Sequence, residues 1–262
     1  MKTHLPLTLA TIVSTLFISS ATLRASDMDS RIESSAAKTY VFKTYLKDDS
    51  IKTESKNGVV TLTGTVAVDA HKSLAEDTVS SLPGVNHVDN QLTVTGDQPA
   101  EHSDSWISLK VKTALLFHRY VSATGTTVYV KDGNVTLQGE ATSMAQKELT
   151  TEYAKDVDNV KSVQNDMTIA ATPAASTNAP ATTASEKIDD ASITAQVKAS
   201  LFAHHSTSAL HTGVSTTDGV VTLSGIAKND AEKSLVSKLA NDINGVTDVI
   251  NNMTVTVPVA AN

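Results

Sequence analysis

The octapeptide NGVVTLTG at residues 57–64 returns as DGNVTLQG at 132–139 and as DGVVTLSG at 218–225. A chain that writes one hairpin three times is built from copies of one unit, and this repetition constrains the fold more than any other feature. Anchored on the closing glycines Gly64, Gly139 and Gly225, each copy carries another glycine six residues earlier: Gly58, Gly133 or Gly219. Twenty residues after the anchor stands Gly84, Asn159 or Gly245, followed at once by Val85, Val160 or Val246. Twenty-six after it stands Asn90, Asn165 or Asn251. The spacings agree without a gap, so the repeat is real and about 70 residues long.

The unit's local structure follows from its residue types. An NG or DG pair after an alternating stretch signals a two-residue type I′ turn, whose positive φ angles Asn, Asp and Gly supply. In the next strand Val60 and Leu62, Val135 and Leu137, and Val221 and Leu223 alternate with threonines, so one face is buried and the other wet. Ala70, Leu74, Val79 and Leu82, with their counterparts in the other copies, then fall on one stripe of a helix. Gly84, Asn159 and Gly245 suit its C-terminal cap. A last strand (VNHVDNQLTV, VKSVQNDMTI or VTDVINNMTV) completes a parallel crossover. Each unit also opens with a helix. WISLKVKTALLFHR aligns with SITAQVKASLFAHH, and in the first copy YVFKTYLKDD takes that place about six residues nearer its hairpin, which predicts a shorter connection there.

The expected fold class is therefore α+β: three tandem domains, each with two helices packed on a small mixed β-sheet in α-β-β-α-β order. Their bounds are 28–96, 104–170 and 188–257. GDQPAEHS joins the first two. The Pro/Ala/Ser/Thr tract at about 171–187 reads as a flexible tether, so units one and two are expected to pair and the third to be more mobile.

The first 25 residues read as a secretory signal peptide: Lys2, an apolar stretch from Leu5 to Ile18, then small residues that allow cleavage after Ala21 or Ala25. Cysteine is absent, so neither disulfides nor an N-terminal lipidated cysteine are available. Together these features point to the bacterial periplasm. A net charge of −7 argues against nucleic acid as a partner, because phosphate binding needs clustered lysine and arginine.

The recurring residues are Gly, Val, Leu, Ala and Asn, which set turns and fill cores. No position carries His, Asp, Glu, Ser or Lys in all three copies with a partner at catalytic spacing, so no catalytic residue, cofactor or small-molecule substrate is expected. Asn90, Asn165 and Asn251 are expected to bond local backbone at a strand irregularity. His204, His205 and His211 lie near one another, with His118 at the matching place of unit two, but no supporting carboxylate spacing makes them a metal set. One feature does not repeat. Trp106, Leu109, Phe117 and Tyr120 in unit two stand where unit three has Ser192, Ala195, Ala203 and Ser206. Flanked by Lys110, Lys112 and Arg119, they form an aromatic stripe apart from the Ile107, Val111 and Leu115 core stripe. Two fates are open to it: packing against another unit, or contact with a lipid or protein surface.

The order helix, hairpin, DGxVTLxG, helix, GVxxVxNxL, strand resembles the BON domain of bacterial envelope proteins, and the resemblance covers nearly all of the chain beyond its leader. It implies a non-enzymatic periplasmic protein of the envelope or osmotic-stress response. Its partners would be phospholipid surfaces, through the basic and aromatic stripe, or exposed polypeptide and other envelope proteins, held chaperone-fashion by sheet edges and apolar surface.

Overall fold

Both residues of each repeated turn take positive φ: 55° and 76° at Asn57–Gly58, 53° and 79° at Asp132–Gly133, and 50° and 80° at Asp218–Gly219. This is the type I′ geometry whose twist matches that of the flanking strands. In the computed structural model, which describes residues 19–96, 98–170 and 188–256, the turns join β1 (Ser50–Lys56) to β2 (Val59–Val66), β5 (Thr126–Lys131) to β6 (Asn134–Ala141), and β9 (Thr212–Thr217) to β10 (Val220–Ala227). The closing glycines are held more tightly still. A Cβ on Gly64, Gly139 or Gly225 would stand 1.9, 2.0 or 2.0 Å from the carbonyl oxygen of Ser50, Gly125 or His211.

A helix follows each hairpin: α3 (Asp69–Ser80), α5 (Met144–Lys155) and α7 (Asp230–Asn241). The chain then returns parallel to the second hairpin strand as β3 (His87–Asn90) and β4 (Thr93–Val94), β7 (Ser162–Asn165) and β8 (Thr168–Ile169), and β11 (Asp248–Asn251) and β12 (Thr254–Val255). Each sheet has four strands around its central β2, β6 or β10. The break in the returning strand is where the repeated asparagine works. Asn165 donates to Lys147 O and Thr151 Oγ1, both at 2.8 Å, and its Oδ1 accepts Met167 N–H at 3.0 Å. Asn251 does the same with Lys233 O, Ser237 Oγ and Met253 N–H. Asn90 reaches Lys72 O, Glu76 and Leu92 N–H. One side chain thus ties strand to helix and turns Leu92, Met167 or Met253 into the core, each 2% exposed.

The opening helices are α1 (Ser19–Lys38), α4 (Asp104–Leu116) and α6 (Asp190–Ala203). Their register corrects two expectations. Asp29, Asp104 and Asp190 recur 29 residues before the turn glycine, and each carboxylate accepts both turn N–H groups at 2.8–3.0 Å. An aspartate therefore does recur in all three copies, with backbone as its partner. Unit one also opens on α1 with no shortened connection, because Asp29 must reach the same turn; Ile32 and Ala36 match the buried Ile107 and Val111. YVFKTYLKDD instead forms the short α2 (Tyr40–Thr44) and the turn after it. The expected leader, residues 1–25, lies outside the described residues up to 18, and Ser19 begins α1.

The three units pack together through α6, which is buried on every side from Ala191 to Val197: Ser192, Ala195, Gln196 and Val197 are each 0% exposed. Tyr40 N–H donates to Asp189 Oδ2 at 2.7 Å, Val41 N–H to Ser192 Oγ at 3.0 Å, and Lys198 Nζ to Asp77 Oδ1 at 3.0 Å, seating unit one on unit three. The apolar cores of units one and three merge into one cluster, whereas unit two keeps a core of its own around Ile107, Val111, Leu115 and Leu137. Units two and three meet through antiparallel bridges His118↔Ile243 and Val157↔His204. Positions 118 and 204, and 157 and 243, are equivalent in the repeat, so this seam has the two-fold form of a dimer interface. Unit three is thus docked on both others, contrary to the expectation that units one and two pair alone. The 171–187 tract itself lies outside the described residues. No described helix is long and apolar enough to cross a membrane.

Candidate functional site

Two places bring chemistry-bearing side chains together. The first is a groove of about 610 Å³ where α3, α4 and α6 converge. Ser103 caps α4, its hydroxyl accepting Trp106 N–H at 3.2 Å. From there Trp106, Leu109, Lys110 and Thr113 follow one another down the wall of the groove. Phe202 of α6, 60% exposed, and Leu210 of the following 3-10 turn, 87% exposed, form the facing rim. Lys110 Nζ stands 5.2 Å from the Trp106 ring centroid and 4.4 Å from that of Phe202, a cation held between two aromatic rings. Burial there holds its ammonium below the ordinary lysine range, against the fields of Asp158 and Asp69. Asp69, Asp77 and Glu101 add acid to the lining. Burial raises the Asp77 carboxyl, opposed by the charge and hydrogen bond of Lys198.

The stripe expected from the sequence is therefore divided. Trp106, Leu109 and Lys110 line the groove, half-buried; Lys112 is exposed; and Tyr120, 53% exposed, lies beside the Arg119 guanidinium at 5.8 Å. Phe117 and Arg119 do not belong to the surface set. Phe117 is 2% exposed with its ring 5.1 Å from that of Tyr45, and Arg119 donates to Ile243 O and Val246 O at 2.6 and 2.8 Å. Both hold units together, Phe117 against Tyr45 of unit one and Arg119 on carbonyls of unit three.

The second place is the seam between units two and three. His118 Nδ1 lies 2.9 Å from Asp242 Oδ2, and His204 Nδ1 lies 3.0 Å from Asp156 Oδ2. Tyr153 stacks on His118 with ring centroids 4.0 Å apart, and its hydroxyl donates to Asp242. Ser200 Oγ is 3.1 Å from His118 Nε2, so Ser200, His118 and Asp242 are connected like a nucleophile, base and acid. Ser200 is only 1% exposed, however, which leaves no room for a substrate carbon at its hydroxyl. The connection is one of packing. Among the described residues no group of three or more His, Asp or Glu is placed to hold a metal ion. The seam is hard to read from the sequence because its partners are some 50 and 124 residues apart; the available signal was a histidine at equivalent positions 118 and 204 together with an aspartate at equivalent positions 156 and 242.

The BON domain family model matches residues 28–96, 103–171 and 189–257. The osmotically-inducible protein Y of Escherichia coli is 33% identical over 150 residues, 57% of this chain and 71% of that protein. The outer membrane lipoprotein DolP of Haemophilus influenzae is 32% identical over 125 residues, covering 45% of this chain and 64% of that protein. Among solved structures, the C-terminal domain of CdsD, a structural protein of the type III secretion system of Chlamydia trachomatis, aligns at 17% identity over 83% of this chain and 96% of that one, with a TM-score of 0.21. With three family matches over the three folded units, and a relative of that identity and coverage, the chain belongs to the BON-domain family, as a protein with three such domains.

Proposed function

We propose that this is a non-enzymatic protein of the bacterial envelope, exported to the periplasm and active in the osmotic-stress response, whose groove takes an apolar stretch of exposed polypeptide. The groove carries this reading. Phe202 and Leu210 are too exposed to be serving the fold, and they face Trp106 and Leu109 across a concave, mostly apolar floor. The sequence relationship to an osmotically-inducible protein and to an outer membrane lipoprotein supports the setting. A phospholipid surface is the competing partner, favoured by exposed Lys112 and Tyr120. It is weakened by the other two cations of the stripe: Lys110 lies between rings and Arg119 is bonded to carbonyls, so neither is free for headgroup phosphate.

Trp106 is the chain's single tryptophan, so its emission reports the groove directly. Titration with an unfolded polypeptide such as casein should shift that emission to the blue, and Phe202→Ala with Leu210→Ser should weaken binding at least tenfold, about 1.4 kcal/mol, while leaving the melting temperature unchanged. A response to anionic vesicles with none to polypeptide would replace this reading with the phospholipid one.

A further inference from the structure

The seam between units two and three contains two imidazoles aimed at each other. Each Nδ1 is engaged by a carboxylate, Asp242 for His118 and Asp156 for His204, so each Nδ1 carries its proton as donor. In the neutral form that leaves both Nε2 atoms as bare acceptors, and they stand 3.5 Å apart with ring centroids at 5.6 Å. One hydroxyl, Ser200 at 3.1 Å, is available to His118 Nε2. A single proton between the rings gives one donor and one acceptor. A second makes two facing cations in a site where His118 is 2% and His204 2% exposed.

Of the groups around the pair, Asp242 keeps one oxygen, Oδ1, buried without a hydrogen bond, and Glu152, Lys155 and Lys238 line the same recess as His204; the others are already engaged. From α5, Tyr153 stacks on His118, meets His204 edge-on at 5.5 Å, and donates its hydroxyl to Asp242. Asp156, at the end of α5, is already shared with the Ser206 hydroxyl and with the His205 imidazole at 3.0 Å. From the end of α7 comes Asp242, and from α6 come Ser200 and His204 itself. Arg119 is occupied by the carbonyls of Ile243 and Val246. We propose that the His118–His204 pair is a proton-binding site that makes the docking of units two and three depend on pH: the seam is closed with none or one proton and parts when both rings are charged. Burial, more than the opposing hydrogen bond and charge of Asp242, holds His118 below the ordinary imidazole value. Opening therefore takes up a proton, and the equilibrium moves toward the open form as pH falls below about 6.5. Unit one lacks the device, since Ser81 and Leu82 stand where Asp156 and Val157, or Asp242 and Ile243, stand in the others.

The chain has no cysteine, so Lys131→Cys and Thr217→Cys, equivalent exposed positions on two hairpins, can carry one pair of spin labels in the full protein. The distance distribution should be constant from pH 8 to 7 and lengthen or broaden below about pH 6, with far-ultraviolet circular dichroism retained. The same titration followed by NMR of the imidazole Cε1–H signals should show both rings charging in the pH range where the distance changes. His118→Gln with His204→Gln should abolish the step. An unchanged distance at pH 5 with both rings protonated, ring titration out of step with the separation, or a step that survives in the double variant would each overturn the proposal.

Discussion

Two glycines of one hairpin carry unequal constraints, although they look alike in the sequence. Gly133 has φ 79°, and a Cβ there would meet Asn159 O at 3.1 Å; Gly139 has φ 128°, and its Cβ would stand 2.0 Å from Gly125 O. The first is strain that Asn or Asp can share, while the second is a collision with backbone that cannot withdraw. Gly133→Ala should cost unit two about 1 kcal/mol, and Gly139→Ala more than about 3 kcal/mol, as read by thermal unfolding; equal costs would show that the closing glycine is not held by that carbonyl. The turn glycines were legible because a type I′ turn is a local rule. The recurring Asp29, Asp104 and Asp190 were not. Each acts 29 residues along the chain on backbone groups, and nothing in the side-chain pattern advertises a partner that has no side chain. Hydrogen bonds from the two turn N–H groups hold the Asp104 carboxyl below the ordinary range. Its contribution to stability is thus complete above the usual aspartate pKa and is lost only as pH falls through the lowered value.

At the scale of elements, the contrast between α4 and α6 was visible but read from the wrong side. Trp106, Leu109 and Phe117 drew notice as large residues, yet the small ones opposite them in the repeat, Ser192, Ala195 and Ala203, organise the molecule. They sit at helical spacing on α6, Ser192 accepts a unit-one N–H, and Ala199 on the same stripe lies against α3. Close approach of helices needs small side chains at the crossing, and a sequence shows small residues as an absence of signal. Ala195→Leu, which only copies the residue unit two carries at position 109, should overpack this crossing. It should destabilise the protein by about 1–3 kcal/mol and increase hydrogen exchange in α2 and α3 before unit two is affected. The asparagine of the broken strand makes the local backbone bond that its short side chain suits. Its reach to the helix fourteen and eighteen residues earlier was beyond a local argument.

For the whole molecule, the arrangement of units could not be read from linkers. A tether permits mobility, but surfaces decide whether mobility is used, and here unit three is held by the Asp189 and Ser192 contacts on one side and by the two His–Asp pairs on the other. Cutting the 171–187 tract with a protease should therefore leave two fragments that elute together at the size of the intact chain at neutral pH. Separate elution would mean that these contacts persist only because the units are covalently linked.

The central position of α6 has a temporal side. Synthesis delivers the chain from its N-terminus, so units one and two emerge while the helix they dock against is still to come. The Tyr40 and Val41 N–H groups have no acceptor until Asp189 and Ser192 arrive, and the core of unit one stays open on the side where α6 merges with it. Completion is then an intramolecular capture in which the 171–187 tract sets the local concentration of the last unit. A nascent chain halted after unit two would carry its own apolar surface into a crowded compartment.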